Sequence, residues 1–109
     1  MAYYHVIMER YTAPFTSGEE REIVDIYARI RTELAGCLGY YRGPNVSPYA
    51  RDYTHVHLSI WESKAAHDAY QGHPLHDRLV QLIVPRLEAA VADLDTDLTT
   101  VAEKRGLSP

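Results

Sequence analysis

Residues 3–11 alternate: Tyr3, His5, Ile7, Glu9 and Tyr11 fall on one side, and Tyr4, Val6, Met8 and Arg10 on the other. A period of two with aromatic and β-branched content predicts a strand, and Pro14 ends it. Ser17-Gly18-Glu19-Glu20 reads as a capping box, with the Ser17 hydroxyl accepting from the Glu20 amide and the Glu20 carboxylate reaching back. The following helix carries Ile23, Ile26, Tyr27, Ile30 and Leu34 at steps of three and four, one apolar stripe. Gly36 and Gly39 punctuate its end. A shorter, weaker strand is expected over 40–45, and Gly43–Pro48 has loop composition. Residues 53–61 alternate most clearly: Tyr53, His55, His57, Ser59 and Trp61 against Thr54, Val56, Leu58 and Ile60. Ser63 caps a helix that runs to about Gly72, and Pro74 fits the first turn of another near 75–88, bent at Pro85. Residues 89–98 alternate again and predict a fourth strand, leaving 99–109 as a mobile tail.

The order β-α-β-β-α-α-β predicts one α+β domain over residues 1–98, an antiparallel four-stranded sheet with helices on one face. The second sheet face poses a choice. Either Val6, Met8, Val56, Leu58 and Ile60 pack under the helices while His5, His55 and His57 meet water, or the histidines point under the helices and the apolar face meets another subunit. Periodicity alone does not choose.

Composition narrows the class. With 109 residues, 46% of them apolar and 24% charged, the chain is an ordered globular domain. Eleven basic against 15 acidic residues give a net charge of −4, without the basic face of a nucleic-acid binder. No apolar run approaches the about 18 residues of a membrane span, and the start lacks the basic, apolar pattern of a signal peptide. A single cysteine, Cys37, excludes an internal disulfide and reads as a small structural residue in a turn. These features predict a reduced, cytoplasmic protein. Gly-x-Gly motifs, a Gly-x-Ser-x-Gly elbow and a phosphate loop are absent, which removes nucleotide and serine-hydrolase readings.

Nine tyrosines and six histidines carry the candidate chemistry. Tyr70-Gln71-Gly72-His73-Pro74-Leu75-His76 concentrates it. On one straight helix, positions six apart face different sides, but Gly72 and Pro74 break the helix, and a bend there brings Tyr70 and His76 to one cavity. An imidazole exchanges protons near neutrality, and a phenol is a neutral donor to a developing oxyanion. The plainer reading makes His73 and His76 helix caps and Tyr70 and Tyr27 core aromatics. His55-x-His57 with His73-x-x-His76 could chelate zinc, but no matching cysteine or carboxylate spacing supports it.

His5, Tyr53-Thr54-His55-Val56, Trp61-Glu62-Ser63, Ala69-Tyr70-Gln71-Gly72-His73-Pro74-Leu75-His76 and Val91-Ala92-Asp93 together resemble the stress-responsive dimeric α/β-barrel (Dabb) family over about residues 3–98. The resemblance implies a ferredoxin-like fold whose sheets pair into a dimeric barrel. The histidines would then face the helices, and Val6, Met8, Val56, Leu58 and Ile60 the partner. Within the family the chain is most similar to polyketide cyclases of the olivetolic acid cyclase type. The small aromatic polyketide cyclases of actinobacteria match more loosely. That likeness implies a cofactor-independent, metal-free intramolecular aldol closure of a poly-β-keto chain. His76 would be the base and Tyr70 the donor, with His5, Tyr27 and His55 around the substrate. His57 and Ser59 stand where those cyclases are apolar, so a more polar pocket is expected. With Trp61 and His73 they complete the expected substrate-binding set. Two alternatives share the scaffold: a non-catalytic ligand-binding or stress-related dimer, and another small enzyme such as an isomerase, lyase or cofactor-free monooxygenase.

Overall fold

The computed structural model describes residues 2–97. Its elements are strand β1 (Tyr3–Tyr11), helix α1 (Ser17–Glu33), strands β2 (Cys37–Pro44) and β3 (His55–Trp61), helices α2 (Lys64–Gln71) and α3 (Pro74–Ile83), a short 3₁₀ turn (Val84–Arg86), and strand β4 (Leu87–Asp97). The strands form one antiparallel sheet in the order β2-β3-β1-β4. With the helices on one face this is the ferredoxin-like α+β arrangement that the element order predicts. Among the described residues no helix is long and apolar enough to cross a membrane. Leu98 and the expected tail 99–109 lie outside the described residues, and with them the expected domain boundary.

Several boundaries differ from the sequence expectation. The N-cap of α1 is Thr16, not Ser17: Thr16 Oγ1 accepts from the Glu19 amide at 3.1 Å, and Glu19 Oε1 from the Thr16 amide at 2.8 Å. Both Thr16…Glu19 and Ser17…Glu20 satisfy the motif. Glu20 is engaged elsewhere, accepting from Arg42 Nη1 at 2.7 Å. The cap at Ser63 holds, its hydroxyl accepting from the Ala66 amide at 3.1 Å, and Pro74 opens α3 as expected. Helix α3 stops at Ile83 instead of running to 88. Pro85 has no N–H to continue the ladder and its ring crowds the carbonyl four residues back. The chain therefore tightens into the 3₁₀ turn and β4 starts at Leu87, two residues early. Arg86, ion-paired with Glu19, ties that turn to the start of α1.

Strand β2 begins at Cys37, so this cysteine is a buried strand residue and not a turn residue. Strand β3 begins at His55 because Arg51 and Asp52 take left-handed conformations, φ 51° and 68°, in the preceding turn. Gly36 permits close helix packing: a Cβ there would lie 2.7 Å from Ala66 Cβ.

The structure resolves the two-faced sheet. The α1 stripe Ile23, Ile26, Tyr27 and Ile30 packs on the odd-numbered face, with Tyr3, Cys37, Trp61, Tyr70, Leu75, Leu79 and Leu82. Ile23, Ile30 and Trp61 are 0% exposed. His5, His57 and Ser59 lie on this inner face, whereas Val6, Met8, Val56, Leu58 and Ile60 on the opposite face are only partly covered. The histidines thus sit beneath the helices.

Candidate active site

The break between α2 and α3 decides the site. Helix α2 ends at Gly72, and Pro74 starts α3 in a new direction, with His73 as its N-cap. The Tyr70 and His76 rings meet edge to face, centroids 5.0 Å apart and planes at 83°. They line a cavity of about 160 Å³ between sheet and helices. Strand β1 contributes His5, Ile7 and Glu9; α1 contributes Tyr27, β2 Tyr40, β3 His57 and α2 His67. Apolar Leu79, Val80, Ile83, Val84 and Leu87 close its far wall. A larger groove of about 590 Å³ runs outside it between α1 and β2, sharing Tyr27 and Tyr40. That groove lacks the Tyr70–His76 pair.

Ring contacts order the interior. Tyr40 Oη and Tyr70 Oη are 2.6 Å apart, and Tyr27 Oη lies 3.4 Å from His57 Nδ1. The His5 ring is 4.7 Å from that of His67 and 5.3 Å from that of His57. Beneath Tyr70, Trp61 stacks at 4.7 Å with planes 26° apart, and its indole N–H donates to Ser59 Oγ at 2.9 Å.

Burial sets the protonation states. It drives His57 down to about 3, with His5, His67, Arg42 and His76 adding unfavourable charge. It also lowers His76, aided by His5 and opposed by Asp77 and the Gln71 main chain. Burial raises the Tyr70 hydroxyl despite its bond to Tyr40, and it raises Tyr27 and Tyr40 as well. It pushes the Glu9 carboxyl upward against the opposing effects of Tyr11, Arg42 and His5. Neutral imidazoles therefore face phenols that keep their protons at neutral pH, an arrangement suited to acid–base work on a carbonyl compound.

Of the residues expected from the sequence, His76, Tyr70, His5, Tyr27 and His57 come together at the cavity. The others do not. His55 lies at the outer end of its strand, Nδ1 2.7 Å from Thr54 Oγ1, with its ring against Tyr11. It lines the outer groove and an adjoining hollow instead. Ser59 and Trp61 are 0% exposed and bonded to each other, so they support the site from below. His73 Nδ1 accepts from the Leu75 amide at 3.1 Å, the capping role of the plainer reading. The zinc alternative fails to converge, since His57 and His76 line the cavity but His55 and His73 do not. Among the described residues no group of three or more His, Cys, Asp and Glu is arranged to hold a metal ion.

Sequence reasoning missed Glu9, Tyr40 and His67. Glu9 shares the strand face of His5, and His67 stands three residues before Tyr70 on α2. The His67 position was a legible signal, whereas an acidic strand residue such as Glu9 reads as solvent-facing. Tyr40 sits in the weak strand, whose true start at Cys37 sets its facing.

Comparison with known proteins agrees with this architecture. The family model described as the Stress responsive A/B Barrel Domain (Dabb) matches residues 4–95. A solved structure from Arabidopsis thaliana superposes with a TM-score of 0.74 at 23% identity, covering 93% of this chain and 99% of that one. Hydroxynitrile lyase from Passiflora edulis gives 0.75 at 17% identity, covering 94% and 97%. A dimeric ferredoxin-like protein of unknown function from Jannaschia sp. gives 0.69 at 26% identity, covering 92% and 100%. Among curated proteins none matches the chain at a significant level. At such identities the solved structures speak to the fold, and the family model, spanning nearly the whole described chain, speaks to descent: this chain belongs to the stress-responsive A/B barrel (Dabb) family.

Proposed function

We propose that the protein is a cofactor-independent polyketide cyclase that closes a short poly-β-keto chain by an intramolecular aldol reaction. The observation that carries this reading is the Tyr70–His76 ring contact, centroids 5.0 Å apart, at the cavity between sheet and helices. A methylene between two carbonyls is acidic enough for a neutral imidazole to deprotonate. His76, held below the usual imidazole range by burial, is the base. The enolate carbon attacks a second carbonyl carbon along the same chain, forming the ring bond. The oxygen of that carbonyl takes a proton from Tyr70, and the His76 imidazolium returns the proton to the phenolate. Tyr27, His57 and His5 hold carbonyl oxygens, and much of the rate comes from restraining a flexible chain. A cavity of about 160 Å³ is close to the volume that holds one six-membered ring, which suits a compact ring product and leaves little space for a long tail.

The same reading makes the protein a homodimer through Val6, Met8, Val56, Leu58 and Ile60. Its support is that partly covered apolar face and the dimeric state of the Jannaschia protein.

His76→Ala and Tyr70→Phe test the chemistry separately, with a synthetic linear poly-β-keto thioester as substrate and the ring product followed by chromatography. Each variant is expected to fold and to lose about 10²–10⁴-fold in turnover. If both turn over normally, the assignment is wrong. Tight small-molecule binding by the wild type without turnover would replace it with a binding module. Oxygen consumption or simple bond cleavage would replace it with a monooxygenase or a lyase.

A further inference from the structure

Beyond the Tyr70–His76 pair the cavity holds a second polar pair, Glu9 and His57, and the aldol reading gives Glu9 no role. Glu9 is 5% exposed and His57 6% exposed, both line the cavity, and Glu9 Oε1 and His57 Nε2 have no hydrogen-bond partner. Buried polar atoms are nearly always paired, because each one left without a partner costs a substantial part of its hydration free energy. Two such atoms on one cavity wall mark a place where a ligand supplies the missing partners. Tyr11 and Arg42 lie near enough to Glu9 to act on its carboxyl, yet neither bonds Oε1. Tyr27 Oη meets the other ring nitrogen of His57, and Arg42 spends Nη1 on Glu20.

The spacing of rings relates this pair to the first. The Tyr40 ring contacts one member of each pair, 4.8 Å from that of His57 and 5.9 Å from that of Tyr70. Through Tyr40 the two pairs belong to one continuous lining. We infer that Glu9 and His57 form an oxygen-recognition pair, so that the cavity takes a six-membered ring, or a chain about to become one, with a hydroxyl or keto oxygen set against them. The substrate class is therefore oxygen-rich and compact, without an alkyl tail beside this pair. The Glu9 carboxyl offers acceptor oxygens, and a neutral imidazole offers one donor and one acceptor. Such a pair serves an enol or phenol as readily as a ketone.

The inference rests on the proposed cyclase reading for the identity of the first pair, but it is tested by binding alone. Resorcinol and toluene are ring probes of similar size that differ in oxygen content. Their affinities are compared by protein NMR titration against wild type, His76→Ala, Glu9→Leu and His57→Val. Wild type and His76→Ala are expected to prefer resorcinol by at least about tenfold, one buried hydrogen bond's worth. Glu9→Leu and His57→Val are expected to lose that preference and to bind toluene more tightly. Equal affinities in wild type, or an unchanged preference in both Glu9→Leu and His57→Val, would overturn the inference. The wild-type comparison keeps it falsifiable should either variant misfold. Because His76→Ala retains the preference on this account, a failure of the catalytic assignment leaves the binding result intact, and the reverse also holds.

Discussion

Tyr40 Oη and Tyr70 Oη lie 2.6 Å apart, inside the hydrogen-bond range for two hydroxyls, although they come from a strand and a helix 30 residues apart. One phenol donates and the other keeps its proton free for a ligand. With Tyr40 as donor, the remaining Tyr70 proton is polarised and becomes a better partner for an oxyanion. Tyr40→Phe removes this help without changing the ring contacts to Tyr27, His57 and Trp61. Turnover is expected to fall about tenfold with KM little changed, the effect of one hydrogen bond realised in the transition state. Steady-state kinetics checks it, and unaltered turnover would remove Tyr40 from the mechanism.

Stability is expected to fall on acidification through the histidines. His57 binds its proton only near pH 3 when folded, whereas an unfolded imidazole does so near about 6.5. Between these values the unfolded chain holds more protons, so stability rises with pH. The contribution of His57 is complete above about 6.5 and is lost as pH falls towards 3. His76 and His55, also lowered by burial, act in the same direction. Glu9 acts oppositely: its raised carboxyl contributes below the usual carboxylate range, and that contribution is lost as pH rises through its folded value. Urea unfolding between pH 7 and pH 4 should show a falling midpoint, and a shallower fall in His57→Val. An equal fall in both proteins would contradict the assignment.

Leu58 occupies the centre of the outer sheet face, opposite Val6 on one side and Tyr41 on the other. A carboxylate there would have to be desolvated in any subunit contact, at a cost of several kcal/mol by the general behaviour of buried ions. Leu58→Asp is expected to give monomer or aggregate by size-exclusion chromatography with light scattering, while the wild type runs as a dimer. A variant that remains dimeric would move the interface to another surface.

The alternation of residues 3–11 and 53–61, the stripe from Ile23 to Ile30 and the Gly72–Pro74 break were enough to predict the elements and their order, because these are local effects of backbone geometry and chain breaking; the break left the Tyr70–His76 meeting open beside the plainer reading of caps and core aromatics. Boundaries slipped where two neighbouring solutions were equally good locally. Thr16 and Ser17 both fit the capping box, and the choice between them fell to Arg42 and Arg86 reaching Glu20 and Glu19 from distant parts of the chain. Pro85 announced a disturbance, but whether it bent the helix or ended it depended on β4 pairing with β1. Glu9 was hidden for a related reason: an acidic residue on a strand reads as solvent-facing until helices cover that face. His55 and His57 look equivalent in sequence, yet one lies at the open end of the strand and the other beneath α1. Chain-local patterning therefore settled what forms. Long-range packing settled which sheet face is buried, which imidazoles lose their water, and thus where the chemistry can sit.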